Sequence, residues 1–185
     1  MKCVRGDVRE LIEYYDPAER DDWRIGRRDG FPKDSRLAFN YNCERQPLYY
    51  FGETWWARKL MGDGHICWQE RVHIFNRASP KSPWLEASSE FVHLLGEERA
   101  MMLQSLGARV AFPLKTPDVV AFHPTTKKWG FYEVKLDEDG VRLGQIQSLG
   151  LLSHVLGADV AVVRLEPSGK VRALRQHSYE FELAE

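Results

Sequence analysis

Two carboxylates, a lysine and a glutamine fall in this chain at spacings that could perform hydrolytic chemistry. Asp118 follows Pro117 at the head of an apolar run, Val119-Val120-Ala121-Phe122. Glu133-Val134-Lys135 closes the next apolar run, and Gln145 stands ten residues beyond the lysine. Side chains alternate along a strand, so Glu133 and Lys135 share a face while Val134 points away. Opening a phosphodiester requires an activated water, neutralised charge on the phosphate and help for the leaving oxygen. Hard cations such as Mg²⁺ meet all three needs and take oxygen ligands, chiefly carboxylates and carbonyls. Asp118, Glu133 and the Val134 carbonyl are such oxygens. Lys135 beside them could orient or deprotonate the water and offset charge.

The elements that must position these residues follow from the apolar patterning. Strands are expected over 118–122 and 130–136, joined by a turn around Pro124, then a helix over 144–156 that Gly157 closes and a β-branched strand over 159–165. Ahead of them a helix over about 88–106 ends at Gly107, and 109–112 reads as a short strand ended by Pro113. At about 100° per residue, Phe91, Leu95, Met102 and Leu106 of that helix share a stripe into which Glu98 falls. A carboxylate in an apolar face is costly unless paired or metal-bound, which makes Glu98 the candidate helical acid ahead of Glu97 and Glu90. Earlier in the chain, Val8, Leu11, Ile12 and Tyr15 predict a helix over 7–15. Leu48 to Phe51 and Ile66 to Phe75 read as strands. The proline-bearing segment 76–84 marks the expected boundary between an accessory region, 1–85, and a main domain, 86–170, with a tail over 171–185.

Pro117-Asp118, Glu133-Val134-Lys135, Asp139, Arg142-Leu143 and Gln145, with the helix and strand that follow, resemble the PD-(D/E)xK nuclease superfamily, and within it the VRR-NUC branch. The likeness covers residues 88–165, and its departure is the stretch Phe112–Thr116, which lacks that branch's glycine-rich, arginine-bearing lead-in. The resemblance implies an α/β, restriction-endonuclease-like fold: an αβββαβ core with a mixed central sheet, here preceded by an aromatic-rich accessory region. It implies a nuclease that hydrolyses DNA with Mg²⁺ or Mn²⁺. By the same resemblance Asp118, Glu133 and the Val134 carbonyl hold the metal, Lys135 is the catalytic lysine and Gln145 positions the site or its substrate. The helical acid maps to Glu98.

Bulk composition limits the partners. Lys and Arg number 26 against 27 Asp and Glu, a formal net charge of −1, so the basic footprint usual in DNA binders is missing and a local patch must supply the attraction. Lys115 and Arg142 flank the predicted site, and Lys127-Lys128 sit in the turn between the two strands. Trp55-Trp56 beside Arg58 are the aromatics best placed in sequence to stack on bases. Three separated cysteines outline neither a disulfide framework nor a zinc site. No membrane-spanning run or apolar leader appears, so a cytoplasmic location is expected. The expected partner is DNA, with room for a homodimer and for a protein held through residues 1–85. The rival reading is a nuclease-fold binding or interaction module without catalysis.

Overall fold

The computed structural model describes residues 3–37, 49–69, 72–110, 113–137, 139–169 and 177–184. In chain order these form β1 (Cys3–Tyr15), α1 (Pro17–Arg24), α2 (Phe51–Gly62), β2 (Ile66–Gln69), α3 (Leu85–Leu95), α4 (Glu97–Gly107), β3 (Val119–His123), β4 (Lys128–Leu136), α5 (Leu143–Leu156), β5 (Asp159–Pro167) and β6 (Ser178–Ala184). The strands make one mixed sheet in the order β2-β3-β4-β5-β1-β6. β2 runs antiparallel to β3, and β3 antiparallel to β4. β4, β5 and β1 run parallel, and β6 closes the edge antiparallel to β1.

Alternation along the strands builds a core on each face. Val120, Phe131, Val160 and Val162 pack with Trp68, Phe91, Leu95, Leu103, Ile146 and Leu149 under α3, α4 and α5. Val119, Ala121, Tyr132, Val134, Ala161 and Val163 pack with Trp23, Phe31, Phe51, Trp55, Trp56 and Leu60 under α1 and α2. Both faces of the parallel strands are therefore covered, as burial of a parallel sheet demands. Among the described residues no helix is long and apolar enough to cross a membrane.

Several expectations change. Residues 7–15 are strand, not helix. β1 lies inside the sheet, so Val8 and Glu10 are buried on one face and Tyr15 on the other. Apolar residues on both sides of a strand can imitate helical spacing. Tyr49 and Tyr50 are not strand; Tyr50 takes φ 66 and caps α2, whose Phe51, Trp55, Trp56 and Leu60 recur at helical intervals. The helix expected over 88–106 is two helices, broken at Gly96 with φ 94, a conformation other residues adopt only under strain. Arg109 and Val110 are not strand, and residues 111–112 of that expected element lie outside the described residues. The expected accessory region supplies two of the six strands, and residues 178–184 of the expected tail are β6.

The order α2-β2-β3-β4-α5-β5 positions the site, with α3 and α4 inserted between β2 and β3. α2 presses closely on the end of β4. A Cβ at Gly52 would come within 3.1 Å of Leu136 and 3.2 Å of Val134.

Candidate active site

Where β3 begins, the ladder stops pairing main chain to main chain. Val119 pairs with Tyr132, so continuing the antiparallel register sets Asp118 opposite Glu133 and Pro117 opposite Val134. Residues opposed in such a pair carry their side chains on one face, close together. The two carboxyls thus meet on the α5 side, while Val134 faces the other core. Proline has no N–H, so the position opposite Val134 offers no main-chain donor to its carbonyl. The Val134 N–H is taken by the side chain instead, donating to Asp118 Oδ2 at 2.8 Å.

Glu133 is 1% exposed and Lys135 9%; Lys135 Nζ donates to Glu133 Oε1 at 2.6 Å. Gln145, in the first turn of α5, donates its Nε2 to the same Glu133 oxygen. Its Oε1 accepts from the Arg142 N–H at 2.9 Å, so one side chain ties the helix start to the acid. The segment before Pro117 is docked on the same helix. The Lys115 N–H donates to Ser148 Oγ at 2.8 Å, and Ser148 donates to the Gly144 carbonyl at 2.8 Å.

Burial pushes the Asp118 carboxyl up to about 8, and the facing Glu133 adds to the rise; the Val134 N–H and the Lys135 ammonium pull the other way. Burial also raises Glu133, against the hydrogen bond and charge of Lys135. Two facing carboxyls, Glu133 buried and Asp118 half-buried, with one ammonium bonded to Glu133 are short of positive charge, and at neutral pH they share a proton or take up a cation. The donor set is carboxylate and carbonyl oxygen, which suits Mg²⁺ or Mn²⁺ rather than a softer metal. Among the described residues no group of three His, Cys, Asp or Glu side chains is drawn together at metal-holding distance.

The structure thus gathers Asp118, Glu133, the Val134 main chain, Lys135 and Gln145, with the Lys115 and Arg142 backbones against α5. It does not gather Glu98. Glu97 and Glu98 are exposed in the first turn of α4, because the break at Gly96 turns that stretch out of the apolar stripe that an unbroken helix would have formed. Glu90 lies on α3, where both oxygens accept from Arg36 at 2.8 and 2.9 Å and one also from Trp68 Nε1. The negative charge of Glu53, in the first turn of α2 on the other face of the sheet, adds to the rise of Glu133. Sequence reasoning missed it because Leu48 to Phe51 read as a strand, although an acid early in a helix is a recognisable start signal.

The other nucleic-acid candidates stand elsewhere. Trp55 and Trp56 are 8% and 5% exposed inside the α2 core, and Arg58 is paired with Glu19 at 2.6 Å, so these residues hold the fold and present no stacking face. Lys127 and Lys128 lie at the opposite end of β4 from the acids; at about 3.3 Å per residue, Lys128 is some 17 Å from Glu133.

No family model matches the chain. The chain is 23% identical over 198 residues to a protein named DNA polymerase from Thermococcus sp. (strain GE8), and it spans 12% of that protein's length while 95% of its own is aligned.

Proposed function

We propose that this chain is a Mg²⁺- or Mn²⁺-dependent nuclease of the PD-(D/E)xK type that hydrolyses phosphodiester bonds in DNA. The observation that carries this reading is the pair of opposed carboxyls, Asp118 half-buried and Glu133 buried, at a ladder position where Pro117 withholds a donor from the Val134 carbonyl. The αβββαβ order of α2, β2, β3, β4, α5 and β5 supports it. DNA as substrate is supported by the printed name of the similar protein, a DNA polymerase.

Asp118, Glu133 and the Val134 carbonyl would hold the metal, with no acid from Glu98, which is exposed on α4. A bound divalent cation would supply Lewis acidity and a more acidic water. Lys135, already hydrogen-bonded to Glu133, would orient that water and offset negative charge as the phosphate is attacked. Gln145 fixes the Glu133 carboxyl against α5, and Lys115 and Arg142 at the mouth would hold the neighbouring phosphates.

The test is cleavage of linear, circular, single-stranded and branched DNA with Mn²⁺ against chelator. Asp118→Asn and Lys135→Ala should fold like the parent and lose cleavage by about 10²–10³-fold, the range seen when a group acting on the developing charge is removed. A variant that cuts at the parental rate removes its residue from the site. The second reading is a DNA-binding module that keeps the fold without cutting, favoured by the lack of a third close carboxylate among the described residues. Absence of Mn²⁺ binding in calorimetry, with DNA binding retained, would select it.

A further inference from the structure

The turn that leaves β4 directly after Lys135 and Leu136 is held from both faces of the sheet. Asp137 takes φ 52, and the Asp139 N–H donates back to the Leu136 carbonyl at 3.0 Å. From the α1 side, Arg20 Nη1 donates to Asp137 Oδ2 at 2.7 Å. From the α5 side, Arg164 Nη1 donates to the carbonyl of Asp137 at 3.1 Å and to that of Asp139 at 3.4 Å. Arg164 is the β5 residue paired with Lys135, so its side chain lies beside the lysine on the same face.

The other end of that guanidinium is anchored in the interior. Arg164 Nε donates to Glu10 Oε1 at 2.9 Å, and the Tyr179 hydroxyl donates to the same oxygen at 2.9 Å. Glu10 is 1% exposed on β1, and Tyr179 comes from β6. Three strands therefore meet in one polar cluster whose free arm reaches the turn between Lys135 and Gln145.

An ion pair that served only to join β1 and β5 would need no contact with that turn. Buried pairs of this kind are often neutral or destabilising relative to apolar side chains of the same volume, so stability alone is a poor account of this one. We infer that Arg164, held by Glu10 and Tyr179, is a positioning residue: it fixes the β4–α5 turn and thereby the placement of Lys135 relative to Gln145. This rests on the nuclease reading for its catalytic consequence, and on geometry alone for its effect on the turn. Glu10 also neutralises Arg164, which otherwise would set an uncompensated charge next to the Lys135 ammonium.

The test compares Arg164→Met, which keeps length and removes the fork, with Glu10→Gln and Tyr179→Phe in the full chain. Single-turnover cleavage with Mn²⁺ should fall about 10²-fold in Arg164→Met, the scale of loss that follows small misplacement of a reacting group. The Mn²⁺ titration midpoint should stay parental, since Asp118 and Glu133 are untouched. Hydrogen exchange of the Asp139 amide should speed up in Arg164→Met and in Glu10→Gln, and stay near parental in Tyr179→Phe. A lowered melting temperature with parental cleavage and parental exchange at Asp139 would reduce the cluster to a structural pair and overturn the inference. If the parent itself cuts no DNA with Mn²⁺, the nuclease reading falls, and exchange at Asp139 alone then decides whether Arg164 holds the turn.

Discussion

Burial and the charge of Glu133 move the Asp118 carboxyl to about 8, far above its value in an unfolded chain, near 3.9. Between those two values the folded protein keeps a proton that the unfolded chain has released. Stability then falls as pH rises through that window, because the unfolded state binds fewer protons than the native one. The raised Glu133 acts in the same direction. The metal-free protein should therefore melt at a lower temperature at about pH 8 than at about pH 5. Asp118→Asn, which keeps an acceptor for the Val134 N–H, should flatten that dependence. Mn²⁺ should restore the melting temperature most at high pH, since binding must displace the shared proton. A metal-free protein with the same melting temperature across this range would contradict the burial of the pair. These residues were readable in the sequence because their chemistry depends on strand alternation, which a two-residue spacing encodes directly. The influence of Glu53 on Glu133 was not, because it depends on α2, whose start reads as a strand.

At the level of elements, the Pro117–Val134 step is where a ladder is ended on purpose. Pro117→Ala would supply an N–H opposite the Val134 carbonyl, and the strand could then pair one step further. Such a gain of a main-chain hydrogen bond should leave the fold intact, with stability changed by no more than about 1 kcal/mol. On the proposed metal site, Mn²⁺ affinity should nonetheless drop, because the carbonyl proposed as a ligand would be diverted into the sheet; titration and scanning calorimetry on the variant read the two effects. Affinity equal to the parent's would show that this carbonyl is no ligand. Strands β3, β4 and β5 and helix α5 lie close to where apolar runs and bounding Gly and Pro residues place them. The misread elements are those whose burial is two-sided or interrupted. β1 mimicked a helix because both its faces are covered, and α3–α4 looked continuous because Gly96 breaks the chain without disturbing the spacing of its apolar residues.

For the molecule as a whole, the edge strand β6 sends one aromatic ring into the core. Phe181 pairs across from Gly6 on β1 and packs over Gly150 on α5, where an added Cβ would come within 2.6 Å of the ring. Both glycines make room that only this side chain fills. Phe181→Ala should cost about 3–5 kcal/mol, as expected for removal of a buried aromatic, measured by urea unfolding. No sequence pattern announced this, since the residues that meet are separated by nearly the whole chain.

The chain leaves the sheet at Gln69 and returns at Val119, and those two residues are register partners. Exit and re-entry therefore share one doorway, and the helical excursion between them is topologically a detachable cassette. What restrains it is the underside: Phe91, Leu95 and Leu103 roof Trp68, Trp129 and Phe131. A lineage, or a designer, could rewrite the outward surface of that roof, grafting a new binding face beside an unchanged candidate site, provided the replacement still shelters those rings from water.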